Sequence, residues 1–360
     1  MAKYKLGDIA PIRQGVGPDK YPCWLLNLDM VESNTGRIIE YLYVQSDEIG
    51  ASTVSFDTRN VLYSKLRPYL NKVVLPEHPG FATSEMLPLM PDTTIITREY
   101  LTHFLRSSLF VGYINEKTSG AKMPRANTAD LKAVEIDCPS IEQQNAIVGV
   151  FEHLTRLIEL RQHQLCTLDT LVKARFVEMF GTVHNNVFRF AEGTLESISD
   201  ELFAGGDKPE DCTTERDEAH PYPVFANGYE NKGLQGYSAK CRVTQPAVTV
   251  SARGTIGYCF IREAGFTPVV RLVTIVPNNK VSPVFLKYAI DTMDIKSSGT
   301  GQAQLTVPDF KRERIIVPPA DLQGRFAAFV SQVDKSKAVV QAALDEAQLL
   351  FNSLMQQYFG

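Results

Sequence analysis

Residues 139–181 read PSIEQQNAIVGVFEHLTRLIELRQHQLCTLDTLVKARFVEMFG, and residues 318–360 read PPADLQGRFAAFVSQVDKSKAVVQAALDEAQLLFNSLMQQYFG. Each stretch opens on proline, has no proline in its interior, and ends on Phe-Gly. In the first, alternating steps of four and three pick out Ile147, Phe151, Leu154, Ile158, Arg161, Leu165, Leu168, Val172, Arg175 and Met179. The same frame moved by 179 residues picks out Phe326, Val330, Val333, Lys337, Val340, Leu344, Ala347, Phe351, Leu354 and Tyr358. Apolar residues at a mean spacing of 3.5 form a heptad seam, so each stretch predicts a single helix of ~40 residues, about 60 Å long. Ser140-Ile-Glu-Gln143 supplies a capping box for the first, and Pro318-Pro319 opens the second. One such helix alone fits a core helix of a bundle equally well. Two seams of this length bury each other most simply, and antiparallel packing would relate the flanking parts by an approximate two-fold axis.

The helices belong to a longer internal repeat. Residues 117–181 align without a gap on 296–360, and thirteen of these 65 positions are identical, among them Lys117/Lys296, Asp130/Asp309, Gln144/Gln323, Leu165/Leu344, Leu171/Leu350 and Phe180/Phe359. Ordinary composition gives roughly four by chance. The chain therefore divides into a globular part at 1–138, a helix at 139–181, a second globular part at 182–317 and a second helix at 318–360. The globular parts are rich in glycine and proline and hold strand-like runs such as Asn60–Ser64, Lys72–Leu75, Ala247–Ser251 and Leu272–Val276. Glu99–Phe110 and Val284–Met293 read as helices. The expected class is α+β.

Composition narrows function by exclusion. With 360 residues, 44% hydrophobic and 22% charged, the chain is neither collagenous nor wholly disordered. Its longest apolar stretch, Val269–Val276, is interrupted by Arg271 and falls far short of the ~18 residues of a membrane span. The N-terminal residues lack the apolar centre of a secretory signal, so a soluble, cytoplasmic protein with no membrane partner is expected. The six cysteines show no C-x-x-C spacing and are expected to be reduced and mostly buried. No histidine pair, phosphate loop or complete dinucleotide fingerprint is present; Gly299-Thr-Gly301 lacks the third glycine. No catalytic residue, metal ligand or cofactor is assigned.

Charge is uninformative as a sum and informative as a distribution. Each globular part holds 15 Lys plus Arg against 16 Asp plus Glu. Residues 192–218 contain ten acidic groups, whereas 231–290 contain eight basic ones and only Glu263 of opposite sign. Solvated surface charge accounts for such a pattern, and so does phosphate neutralisation with major-groove reading by Arg, Lys, Gln or Asn. On the second account the DNA-binding candidates are Lys65, Arg67, Lys72, Lys117, Lys122 and Arg125 in the first part, and Lys232, Lys240, Arg242, Arg253, Arg271, Gln302 and Gln304 in the second. Several flank the glycine loops Ser119–Arg125 and Ser298–Gln304, which serve equally as plain connectors.

Ser119-Gly120, Asp130-Leu131, Ile136-Asp137-Cys138-Pro139 and Gln143-Gln144 resemble the approach to the spacer helix in specificity (S) subunits of type I restriction-modification systems. Ser298-Gly299, Asp309-Phe310, Ile315, Pro318-Pro319 and Gln323 repeat it. Val61–Leu70, Tyr222–Tyr229 and Ser251–Gly257 are similar to further segments of that family, so the likeness covers essentially the whole chain. It departs from the family at Gly324, where a glutamine-rich stretch is usual, and across 192–218. The resemblance implies two mixed α/β target recognition domains separated by two long antiparallel coiled-coil helices, a pseudo-two-fold internal repeat. It further implies that each domain reads half of a bipartite double-stranded DNA site, that the helices act as a ruler, and that two methyltransferase (M) subunits and restriction (R) subunits dock on a chain with no catalytic centre. Near-neutral domains leave a coiled-coil scaffold carrying two protein-binding domains as the alternative.

Overall fold

The computed structural model describes residues 2–118, 122–254, 256–293, 295 and 305–360. Two compact units emerge, one of residues 1–162 with 342–360, the other of 163–341. Each long helix thus contributes one half to each unit.

The first unit starts with strand β1 (Ala2–Lys5) and helix α1 (Leu6–Ile9). Seven short strands follow: β2 (Cys23–Leu26), β3 (Leu42–Val44), β4 (Thr53–Phe56), β5 (Val61–Ser64), β6 (Val73–Val74), β7 (Gly80–Thr83) and β8 (Met86–Leu89). After helices α2 (Arg98–Arg106), α3 (Ser108–Glu116) and α4 (Thr128–Ala133), strand β9 (Glu135–Cys138) leads into α5 (Ile141–Phe180). The sheets run β3-β2-β7-β4 and β6-β5-β8, and β1 closes antiparallel on β9. Leu101, Leu105, Phe110, Phe151 and Phe359 pack with Val61 and Tyr63 in the larger core. The helix expected over Glu99–Phe110 is broken at Ser107, whose backbone is extended (φ −67°, ψ 149°). Its hydroxyl accepts the Phe110 N–H at 3.3 Å, so one serine ends α2 and caps α3.

In the second unit β10 (Ala191–Thr194), β11 (Ser199–Ala204), β12 (Tyr222–Phe225), β13 (Leu234–Ser238), β14 (Ala247–Val250), β15 (Cys259–Arg262), β16 (Thr267–Pro268) and β17 (Val273–Pro277) come first. Helices α6 (Pro283–Asp291) and α7 (Val307–Arg312), strand β18 (Arg314–Val317) and helix α8 (Ala320–Phe359) complete it. Its sheets are β11-β17-β14-β15, β13-β12-β16 and β10-β18. All four residues of β14, Thr249 included, are buried, because the strand lies between β17 and β15 in its sheet.

Helix α8 is the partner of α5 in both units. In the second, Phe176 meets Phe326 (ring centroids 5.4 Å), and Lys337 Nζ lies 2.6 Å from Asp169, an antiparallel register. In the first, Phe151 packs on Phe351 at 5.2 Å. Ile147, Phe151, Leu154, Ile158, Leu165, Leu168 and Val172 are buried or partly buried, as are Phe326, Val330, Val333, Val340, Leu344, Phe351 and Leu354. Tyr358, in the same heptad frame, is exposed, and its neighbour Phe359 is buried instead. Near the helix ends the stripe widens to include Val148, Phe176 and Phe180, because there each helix meets a globular core as well as another helix. Phe180 packs on Phe285 of α6 and Phe359 on Tyr100 of α2, each at 5.0 Å.

The repeated glutamines have a matching role. Gln144 is fully buried; its side-chain oxygen accepts the Thr97 N–H at 2.8 Å, and its amide donates to Ile95 O and Pro139 O. Gln323 accepts from Ser282 N at 2.8 Å and donates to Lys280 O and Pro318 O. Each amide ties the first turn of a long helix to the start of α2 or α6.

Of the six free cysteines, Cys23, Cys138 and Cys259 are buried, whereas Cys166 is exposed and Cys212 and Cys241 lie between. The expectation that most are buried is thus corrected: Cys166 projects from the outer face of α5, and the other two sit in loops. Among the described residues no helix is long and apolar enough to cross a membrane.

Candidate nucleic-acid interface

After β5 the chain turns back through Lys65, Leu66 and Arg67. Ala126 N donates to Lys65 O at 2.8 Å and Arg67 N donates to Pro124 O at 2.7 Å, so the segment around Arg125 runs beside this turn. Lys65, Arg67 and Arg125 are thereby brought together across some sixty residues, with exposed Lys122 three residues before Arg125 in the same segment. Glu85 sits among them. Arg125 donates twice to its carboxylate, at 2.9 and 3.1 Å to Oε1, and Lys65 Nζ lies 4.0 Å away. The hydrogen bond to Glu85 raises the pKa of Arg125. Arg67 is exposed, adopts a left-handed conformation (φ 49°, ψ 64°) and makes no ion pair among the described residues.

Two other candidates of the first unit are engaged within their own domain. Lys72 Nζ donates to Leu28 O at 2.6 Å, and burial lowers its pKa. Lys117 donates to the Tyr113 hydroxyl at 2.6 Å and lies 3.7 Å from Asp130.

The second unit repeats the device. Leu305, 179 residues after Ala126, donates its N–H to Ala252 O at 3.0 Å just beyond β14. In this register Ala252 matches Lys65, so exposed Arg253 stands at the place of Leu66, and Gly254, left-handed like Arg67 (φ 67°), takes the place of Arg67. Gln302 and Gln304 lie outside the described residues. Arg271 is exposed and left-handed (φ 59°), and with Gly205, Leu305 and Thr306 it lines a groove of about 370 Å³. Lys232 and Lys240 are exposed, while their backbone carbonyls brace neighbouring side chains.

Part of the positive stretch at 231–290 is engaged within the unit. Arg242 Nη2 bonds Glu201 at 2.7 Å and lies over the Phe203 ring. Lys287 pairs with Asp291, and Lys280 donates to Ser197 O. Arg262 is buried against Phe225 and bonds Thr249 and Lys232 O; burial pulls its pKa down to about 10. The acidic stretch before it supplies Glu201 to Arg242, Glu192 to Arg314 and Glu196 to Lys311. Within 231–290, Arg242 and Lys287 are thus paired and Arg262 is buried, while Lys232, Lys240, Arg253 and Arg271 stay exposed.

An exposed aromatic pair lies among these charges, and no charge count reveals it. Tyr229 and Tyr258 are 63% and 44% exposed, and their rings lie 4.9 Å apart. The available signal was a tyrosine within a few residues of Lys232 and another close after Arg253.

A family model described as the type I restriction modification DNA specificity domain matches residues 1–169 and 196–348. The chain belongs to this family. A Mycoplasma pneumoniae protein described as a type I specificity subunit is 24% identical over 328 residues, covering 90% of this chain and 87% of its own. The specificity subunit of the Escherichia coli EcoDI restriction enzyme is 27% identical over 124 residues, 34% of this chain and 27% of that one. Among solved structures, the type I S subunit from M. genitalium superposes with a TM-score of 0.61 at 14% identity, covering 100% of this chain and 96% of the other. A chain from a type I system studied for its assembly and conformational transition gives 0.65 at 16%, with 99% and 97% covered. These structures share the fold. The chain is a DNA sequence-recognition subunit of a restriction-modification complex, with two recognition domains and two long antiparallel helices.

Proposed function

We propose that the recognition domains, residues 1–138 and 182–317, each read one half of a bipartite double-stranded DNA site. The helices at 139–181 and 318–360 then set the gap between halves. The chain supplies recognition to an intracellular adenine methyltransferase and, in the full enzyme, to the endonuclease, by docking two M subunits and the R subunits; it catalyses nothing itself. The observation that carries this reading is the repeated loop. In both units an exposed arginine follows a buried strand, and a backbone hydrogen bond from Ala126 or Leu305 pins the chain two residues before Arg67 and one before Arg253. A guanidinium so presented suits base edges in the major groove, where base contacts specify and phosphate contacts position. Lys65, Arg67, Lys122, Lys232, Lys240, Arg253 and Arg271 are assigned to DNA, whereas Lys72, Lys117, Arg125 and Arg242 are engaged within their own domains. A protein-binding scaffold is not favoured, because the matched family is one of DNA specificity.

The test is a base-resolution map of methylated adenines in the source strain with the gene intact and deleted. A split motif, two short blocks around a fixed gap, should vanish on deletion. Unchanged methylation with the neighbouring methyltransferase expressed would sink the reading. Adding one heptad to both helices lengthens each by about 10 Å, roughly three base pairs, and should widen the gap while leaving both blocks intact.

A further inference from the structure

Asn227 ties three loops of the second unit together. Its Oδ1 accepts the Ala252 N–H at 2.8 Å and its Nδ2 donates to Val270 O at 2.6 Å. Gly228 N reaches Ser251 Oγ at 3.4 Å, strengthening the first of these links. The loop carrying Val270 is pinned again from behind, where Val270 N and Arg271 N donate to Gly206 O and Gly205 O. That pinning holds two non-glycine residues in the left-handed region (φ 52° and 59°), a conformation that a β-branched side chain such as Val270 rarely takes. Such strain persists only where surrounding bonds over-determine it.

What the clamp gathers is distinctive in its chemistry. Tyr229 lies two residues after Asn227, Arg253 one after Ala252, and Arg271 one after Val270. Tyr258 closes the middle loop and packs on Tyr229. The loops carry Lys232, Arg253 and Arg271 against the single carboxylate Glu230. Two exposed tyrosines side by side amid cations are poor solvent-facing chemistry. They suit a surface that is covered by a polyanion with apolar edges.

We propose that the Tyr229–Tyr258 pair is a base-reading element of the second recognition domain, with Asn227 as its positioning residue. The apolar base edge in the major groove is the thymine methyl group, so the ring of Tyr229 packs on a thymine of one half-site while the arginines engage phosphates and guanine. This rests on the DNA-reading function above and names residues within it.

The methylated-adenine map tests it in the source strain, with variant alleles in the assembled complex. Tyr229→Ala should lower discrimination roughly tenfold at one thymine in one half of the motif and leave the other half unchanged. Tyr229→Phe, which keeps the ring, should preserve the motif. Asn227→Ala should relax the same half, since the three loops lose their common tie, and Arg67→Ala should relax the opposite half. An unaltered motif in Tyr229→Ala would overturn the proposal, as would a uniform loss of methylation with no base relaxed. Because Tyr229 is exposed, its removal does not endanger folding. A wild-type gene on which no split motif depends defeats the DNA-reading function itself; a wild-type motif that Tyr229→Ala leaves intact defeats only this assignment.

Discussion

Helices α2 and α6 hold the same place in the two units and show what duplication preserved and what it released. Thr97 caps α2 and Ser282 caps α6, and each passes its own backbone N–H to a buried glutamine, Gln144 or Gln323. Six residues further on, α2 carries His103 and α6 carries Tyr288. His103 stacks on Phe151 at 4.8 Å, whereas Tyr288 packs edge-on against Phe326 at 5.3 Å. Burial, aided by the nearby positive Arg106, pushes the His103 imidazole down to about 4, while burial pushes the Tyr288 phenol up. A buried backbone group needs a partner in one particular geometry, so the glutamine is retained in both copies. A ring position needs only volume and a tolerable polar edge, so its chemistry has diverged.

The strongest way to break this comparison is at the helix ends. Phe359→Ala should destabilise the first unit by about 3–5 kcal/mol, although residue 359 is the farthest along the chain from most of that unit, and Phe180→Ala should do the same to the second. Hydrogen exchange resolved by peptide would show which unit opens; loss of protection in the same unit for both variants would contradict the exchange of helix halves.

A smaller effect should separate the units by pH. The folded imidazole of His103 titrates below the 6.5 of a free one, so the unfolded chain binds more protons between these values. Stability of the first unit present above pH 6.5 is therefore lost as the pH falls toward 4, by at most about 3 kcal/mol. His103→Phe should flatten thermal or urea stability across that window. A slope unchanged by the substitution would show that the imidazole does not carry it.

The smallest difference should be none at all. Gln144→Leu and Gln323→Leu each strand one buried N–H and two carbonyls, and each should cost about 1–3 kcal/mol by urea denaturation. A marked inequality would mean that the two ties, alike in geometry, are not alike in energy.

Much of the architecture could be read from residue order. The two long helices follow from heptad periodicity, which is local, and the duplication follows from identities at a constant offset. Even Phe180/Phe359 and Gln144/Gln323 stood out as repeated positions, although their roles did not. The break at Ser107 is not legible in the sequence, because a serine able to cap its own downstream turn looks the same in a row of letters as one inside a helix.

The candidate site was legible only in part. Sequence alone determined which residues are basic, that two copies of one scaffold exist, and which family they resemble. Tertiary structure decided which charges remain available: Glu85 reaches Arg125 across forty residues and Glu201 reaches Arg242 across forty-one. It also decided that Asn227 joins loops twenty-five and forty-three residues away, setting two tyrosines beside the arginines. Charges add along a chain irrespective of order, but the field above a surface depends on which of them meet, and only the fold brings them together.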